Sequence, residues 1–313
     1  MQFERPPLIV LAGATATGKT ALSLALAEEL RAAGTPAEIV SADSRQVYRG
    51  MDIGTAKATP EERGRVPHHC LDLVDPDQPF GVSDFCAAAD DALTSIAARD
   101  GVSLLVGGTG FYLRAVARGL ALDELPWDDV VRADVEARLA AEGLPALVAE
   151  LRSLAPGRAA EVDLRNPRRV VRALEIARLQ GDRPLPEPRG YGRPVLWLGL
   201  QVDPGVLRET IHARARAQFD AGLLEETRAL AGRFDTSAPS FSGIGYAEAL
   251  AVIDGRLTLD QAVAEDARRN VLFARRQRTW FRREPDIEWL EATRETPLAQ
   301  AGRAVRAYLA SAG

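Results

Sequence analysis

Two short runs near the N-terminus carry the residue types that phosphate and proton chemistry require. Gly13-Ala14-Thr15-Ala16-Thr17-Gly18-Lys19-Thr20 fits the phosphate-loop pattern G-x-x-x-x-G-K-S/T. Glycines permit backbone angles that turn successive N–H groups inward, and a helix starting at the loop's end adds positive partial charge. Lys19 supplies a compact ammonium, and Thr20 a hydroxyl able to hold Mg²⁺. Nucleotide hydrolases usually add an acidic residue at the end of a neighbouring strand. Here the candidate strand ends Leu104-Leu105-Val106-Gly107-Gly108-Thr109, with no carboxylate. The loop therefore reads as a grip on a diphosphate, with ATP use left open.

The second run is Ser41-Ala42-Asp43-Ser44-Arg45-Gln46, after a short apolar stretch. Ligands of open α/β sheets bind at the C-terminal ends of the strands, which places Asp43 near the phosphate loop. A carboxylate there could bind Mg²⁺ or act as general base on an acceptor. It could equally form an Asx-turn or cap a helix. Spacing alone leaves both readings open.

Several elements must position these runs. Leu8 to Ala12 reads as a buried parallel strand, Lys19 to Ala33 as a helix with Leu22, Leu26 and Leu30 on one face, and Glu38 to Ser41 as a second strand. Ser83 is expected to cap a helix running to about Arg99, and Val102 to Val106 is another strand. Strands alternating with helices predict an α/β fold, a doubly wound parallel sheet of the P-loop NTPase-like kind flanked by helices. From Leu122 to Gln180 strand runs vanish. Helical segments dominate there, at Asp128–Ala141, Pro145–Leu154 and Pro167–Gln180. Proline and glycine cluster from Gly181 to Pro194, and Val195 to Val202 returns to strand character. The division expected is a core of residues 1–121 and 191–313 carrying a helical insertion, 122–190. A long helix over Leu259–Arg283, a strand over Asp286–Leu290 and a helix over Pro297–Leu309 complete the core.

The 313 residues suffice for one large or two modest domains. With 46% hydrophobic and 27% charged residues, the chain is ordinary for a globular protein. No run approaches about 18 uninterrupted apolar residues, so no membrane association is expected. Met1 to Pro7 carries Glu4 and Arg5 and lacks a signal-peptide core. Two cysteines, Cys70 and Cys86, suit a reducing, cytoplasmic setting. The net charge of −5 would discourage a nucleic-acid partner, but it hides a basic run: Arg268, Arg269, Arg275, Arg276, Arg278, Arg282 and Arg283. Alone, that run is more simply a solvated helix face. Of 39 basic residues only Lys19 and Lys57 are lysine, so each invites a reason.

The order of GATATGKT, SADSRQVYRGMDIGTAK, PHHCLDL, LLVGGTGFYLRA, NPRRVVRALE, GIGYAE and ARRQRTWFRR resembles the tRNA dimethylallyltransferases, from about residue 8 to 284. That resemblance implies transfer of a dimethylallyl group from dimethylallyl diphosphate to N6 of the adenosine at tRNA position 37, 3′ of the anticodon. It implies a diphosphate held by Gly13, Ala14, Thr15, Ala16, Thr17, Gly18, Lys19 and Thr20, with Mg²⁺ on Thr20. It makes Asp43 the general base, places Thr109 beside the target adenine, and sets Arg214 on the diphosphate with Lys19. It implies tRNA contacts from Asp43, Ser44, Arg45 and Gln46, from Thr109, from Arg168, Arg169, Val170, Val171 and Arg172, and from Arg132. The insertion would clamp the anticodon stem-loop, with the enzyme a monomer.

The sequence departs from the family in places. Ala14 stands where proline is frequent, Thr17 where serine is, and Asn270-Val271 where Thr-Arg is. A phosphate or RNA contact at the last of these is expected to be lost or moved to Arg269. Asp90-Asp91 lacks the second acid of an aspartate-rich prenyl transferase and reads as a solvated face. His68, His69 and Cys70 are adjacent, which ill suits one zinc ion and favours packing or hydrogen bonding. The main rival reading is a small-molecule or nucleoside kinase in which Asp43 deprotonates a hydroxyl. A non-catalytic, nucleotide-switched RNA-binding module is the third.

Overall fold

The structure is a computed structural model and describes residues 5–292 and 296–312. Of the N-terminal segment discussed above, residues 1–4 lie outside them. By internal contact the chain forms two compact units, residues 1–119 with 190–313, and residues 120–189.

The first unit begins with β1 (Leu8–Gly13), α1 (Lys19–Ala32), β2 (Ala37–Ser41), α2 (Pro60–Arg65), β3 (His68–His69), α3 (Val82–Ala97), β4 (Val102–Gly107) and α4 (Gly110–Ala117). The second unit holds α5 (Asp129–Glu142), α6 (Leu144–Leu154), α7 (Pro156–Glu161) and α8 (Pro167–Gln180). The first then resumes with β5 (Val195–Gln201), α9 (Pro204–Asp220), α10 (Leu223–Ala231), α11 (Tyr246–Ile253), α12 (Leu259–Phe281), β6 (Ile287–Glu291) and α13 (Leu298–Ala312).

The six strands form one parallel sheet in the order β3-β2-β4-β1-β5-β6. Central β1 is buried throughout, which is why its sequence is continuously apolar rather than alternating. Ile9 and Leu11 face a cluster with Leu22 and Leu26 of α1 and Val305 of α13. Leu8 and Val10 face Phe85 and Leu93 of α3, Leu113 of α4 and Phe281 of α12. Both faces are thus covered, and a Leu11→Ala truncation here would cost about 2–5 kcal/mol. With the phosphate-loop sequence lying between β1 and α1, this is a P-loop NTPase-like core.

The strand ends that carry the two chemical runs are tied together. The Ala42 N–H donates to Val106 O at 2.7 Å and the Thr109 N–H to Ala42 O at 3.3 Å. The approach is so tight that a Cβ on Gly107 would stand 2.1 Å from the Ala42 carbonyl oxygen.

One boundary differs from expectation. Ser83 lies inside α3 and does not cap it. The helix begins at Val82, and the Asp84 carboxylate instead accepts the Gly81 N–H at 2.7 Å. An acid in the first turn does the capping, reaching back to a donor the helix leaves unpaired.

In the second unit Asp128, expected as the first residue of its helix, stands just before it as the cap. Asp128 accepts the Val130 and Val131 N–H groups, and Asn166 accepts that of Arg169 with Pro167 in the first turn. Val135, Leu147, Leu151, Val170, Val171 and Leu174 form its core. Val170 and Val171 are 0% and 2% exposed. Their side chains therefore pack in this core, next to the exposed Arg168 and Arg169. No helix among the described residues is long and apolar enough to cross a membrane.

Candidate active site

A cleft of about 700 Å³ opens at the C-terminal ends of β1, β2 and β4, lined by Thr15–Thr20, Asp43–Gln46, Gly107–Thr109 and Arg214, among others. The sheet topology gathers residues that the sequence holds far apart.

The phosphate loop curls through left-handed backbone at Gly18 (φ +89°), which is also the residue before α1. It does so at Ala16 as well, with φ +62°. Glycines were expected to supply such angles. An alanine there costs roughly 1–2 kcal/mol, a strain of the kind kept at ligand sites. Thr17 Oγ1 donates to Ala14 O at 2.9 Å, and Lys19 Nζ donates to the same carbonyl at 2.6 Å. Burial pulls the Lys19 pKa down to about 8; Asp43 opposes that shift and the nearby Arg214 reinforces it. Arg214, on α9, is half-buried and makes no hydrogen bond or ion pair among the described residues. Burial holds its pKa below the ordinary value, against Asp266 and Asp43. Two cations and a curl of N–H groups so converge on one space, a site built for a multiply charged anion.

Asp43 satisfies both readings of its position. Its Oδ1 accepts the Arg45 N–H at 2.8 Å, an Asx-turn, while the residue lines the same cleft as Lys19. The turn fixes one oxygen and leaves Oδ2 without a hydrogen bond among the described residues. Thr109 accepts the Ser44 N–H at 3.0 Å and donates to Ser44 Oγ at 3.3 Å, joining the turn after β4 to that after β2. Gln46 is occupied by Ser41 Oγ and by the Thr55 and Ala56 carbonyls, and Arg45 by the Pro239 and Ser240 carbonyls. Thr20 sits in the first turn of α1, exposed to the cleft beside Lys19. Its hydroxyl is a hard oxygen donor with no hydrogen bond among the described residues, which fits a Mg²⁺ that takes its remaining ligands from phosphate and water.

One residue of the site was missed from sequence. Gln277 Oε1 accepts the Thr15 N–H at 2.8 Å, and its Nε2 donates to Gly108 O at 2.8 Å. It belongs to the buried stripe Asn270, Ala274, Gln277, Phe281 of α12. An amide at helical spacing on the inner face was the available signal, masked by the arginines around it.

Lys57 also has its explanation. Its ammonium is fully buried and meets three acceptors: Tyr48 O at 2.7 Å, Asp52 Oδ1 at 2.6 Å and Asp72 Oδ1 at 2.7 Å. Three donors on a compact tetrahedral head match that set, and a planar guanidinium would not. The loop it staples lines the cleft through Gly54, Thr55 and Ala56.

The basic run divides. Arg268 pairs with Glu265, and Arg269 with the buried Glu248. Asn270 donates to Asp266 at 2.8 Å. Arg269 lines the cleft but is already committed. Arg275, Arg282 and Arg283 are exposed without ion pairs among the described residues. Trp280 packs against Gly110, and Phe281 is buried, as a core reading expects. His68 and His69 are held by Val66 O and by Glu38. In the second unit Arg168 and Arg169 are exposed, whereas Arg132 and Arg172 both pair with the buried Glu175.

Comparison with known proteins places these features in context. Residues 46–284 match the family described as IPP transferase. A tRNA dimethylallyltransferase of Roseiflexus sp. (strain RS-1) is 43% identical over 309 residues, covering 97% of this chain and 99% of that one. The crystal structure of a tRNA isopentenylpyrophosphate transferase from Bacillus halodurans superposes with a TM-score of 0.72 at 35% identity, covering 98% of each chain. A eukaryotic dimethylallyltransferase described as acting on tRNA shares the fold, with a TM-score of 0.77 at 24% identity over 98% of this chain and 80% of that one.

Proposed function

The chain belongs to the IPP transferase family, and we propose a residue-level account of how it works as a tRNA dimethylallyltransferase. It transfers the dimethylallyl group of dimethylallyl diphosphate to N6 of the adenosine 3′ of the anticodon, position 37, releasing diphosphate. The observation that carries the account is that Lys19 on the phosphate loop and Asp43 on the turn after β2 line the same cleft. Anion grip and proton acceptor open on one cleft.

The N–H groups of the loop, Lys19 and Arg214 take the diphosphate and stabilise the charge it gains as the allylic C–O bond breaks. Mg²⁺ on Thr20 supplies further neutralisation of that charge when bound. The adenine amine attacks the allylic carbon, and as the C–N bond forms its proton becomes acidic. Asp43 Oδ2, left open by the Asx-turn, accepts that proton and passes it to water. Thr109 holds the Asp43–Gln46 turn in register and lies where the adenine enters. A stacked base cannot present N6 to such a cleft, so the nucleotide is flipped out at a cost of a few kcal/mol. Residues 120–189 bind the anticodon stem-loop through Arg168 and Arg169, which are exposed and make no ion pair among the described residues. The protein acts as a cytoplasmic monomer.

The test is mass spectrometry of an anticodon stem-loop incubated with the protein, Mg²⁺ and dimethylallyl diphosphate, beside a reaction with ATP alone. A dimethylallyl mass on the base 3′ of the anticodon, absent with ATP, is expected. Phosphoryl transfer from ATP in its place would return the kinase reading.

A further inference from the structure

Trp127 stands at the start of α5, immediately before the capping Asp128, and is 59% exposed. A single exposed apolar side chain is ordinary in itself; what sets this one apart is how it is held. Trp127 is held. Its indole Nε1–H donates to Asp129 Oδ1 at 2.9 Å, which satisfies its polar edge. The guanidinium carbons of Arg132 and Arg172 lie 5.4 and 5.2 Å from its ring centroid. Both arginines reach the same oxygen, Glu175 Oε2, at 3.2 and 2.9 Å, and the Glu175 side chain is fully buried. Arg172 is fixed again by the Pro126 carbonyl at 2.9 Å. Two guanidiniums drawn to one oxygen are gathered together rather than spread to opposite sides of the indole. The remaining ring surface is the part open to solvent.

We propose that Trp127 is a stacking platform for an unpaired base of the RNA, presented by Arg132, Glu175 and Arg172; this rests on the reading of residues 120–189 as the stem-loop-binding unit. The surroundings favour RNA over a protein partner. Arg168 precedes Arg172 by one helical turn on α8, and Arg168 and Arg169 are exposed with no ion pair among the described residues. Uncommitted cations beside a fixed aromatic are what a single-stranded segment needs, phosphate contacts next to a π-face that accepts any base. Arg132 and Arg172, by contrast, are spent internally. Their part is to orient the ring, so they are positioning residues.

The experiment measures equilibrium binding of an anticodon stem-loop RNA to the full chain at fixed salt, for wild type, Trp127→Ala and Trp127→Phe. Dimethylallyl diphosphate binding is measured beside it. Trp127→Ala is expected to weaken stem-loop binding roughly 5- to 150-fold, the range of one base–aromatic stack. Trp127→Phe keeps a ring and is expected to stay within a few-fold of wild type. Donor binding is expected to be unchanged in both, which also shows that the variants are folded. Quenching of tryptophan emission on adding the stem-loop is expected in wild type and lost in Trp127→Phe. The proposal is overturned if wild type binds the stem-loop, Trp127→Ala binds within twofold of it, and the quench persists in Trp127→Phe. Absence of stem-loop binding by wild type would instead overturn the functional reading itself, and this inference with it.

Discussion

Gln277 and Gly108 are a matched pair. The Gln277 amide nitrogen donates to the Gly108 carbonyl at 2.8 Å and occupies the space a side chain on residue 108 would need, 2.3 Å from an added Cβ. Its other end holds the Thr15 N–H, so one amide ties the phosphate loop to the turn bearing Thr109. Gln277→Ala should leave a buried donor and acceptor unpaired, costing about 1–3 kcal/mol in urea unfolding. Gln277→Glu keeps the acceptor for Thr15 and turns an oxygen toward the Gly108 carbonyl. Its kcat should fall more than its stability, because the two turns part before the fold does. Equal kcat in wild type and Gln277→Glu would show that the tie is structural only.

Asp43→Asn separates the two jobs of Asp43. Asparagine can still accept the Arg45 N–H and keep the Asx-turn, but it cannot take a proton. Turnover should fall by roughly 10²–10⁴ with stem-loop and donor binding within a few-fold of wild type. Retained turnover in single-turnover assays would remove Asp43 as the base.

Lys19 sets a pH dependence with two opposite signs. Its pKa in the folded protein is lowered to about 8 by burial, from the usual value of 10.5. Donor binding should weaken as pH rises through about 8, since the neutral amine no longer meets the diphosphate. Folding stability should change the other way. Between the two values the unfolded chain binds the extra proton, so this group's contribution to stability rises with pH. Isothermal titration of donor and thermal melts across pH 7–10 should diverge, and Lys19→Met should flatten this component of both.

Lys57→Arg should not be conservative. A larger planar head must enter a fully buried site whose three acceptors are spaced for an ammonium. Overpacking of that kind costs about 1–3 kcal/mol, and Lys57→Ala, which leaves the Tyr48 carbonyl without its donor, about 1–3 kcal/mol. Asp72 adds a pH signature. Burial alone would raise its pKa, but hydrogen bonds from Lys57 and Arg63 hold it below the ordinary carboxylate value. Its contribution is therefore present above the unfolded value and lost as pH falls through the folded one. Acid melts of Lys57→Ala should show a smaller loss over that range than wild type.

The elements were readable where their signals are local. The apolar runs of β1 and β4, the helical span Pro167–Gln180 and the phosphate-loop residues all follow from neighbours in sequence. Asp43 was readable as a position but not as a single role, because an Asx-turn and a free carboxylate oxygen coexist in one side chain. What was hidden depends on contacts across long stretches of chain. Gln277 reaches Thr15 over 262 positions. Ala16 adopts a glycine-like angle that no alanine announces. Val170 and Val171 travelled with their arginine neighbours in a matching segment, although helical periodicity turns them inward to the core.

The missing room at Gly107 bears on what this scaffold could become. Phosphate-loop proteins that split nucleotides commonly hold an acid on the strand next to the loop, and one base change can turn a glycine codon into an aspartate codon. Here that step is barred, because even a methyl group would run into the Ala42 carbonyl. A descendant drifting toward nucleotide hydrolysis would first have to pry β2 from β4, and that would unseat Asp43. The contact that aligns the two strand ends thus also closes position 107 to any side chain, an acid included.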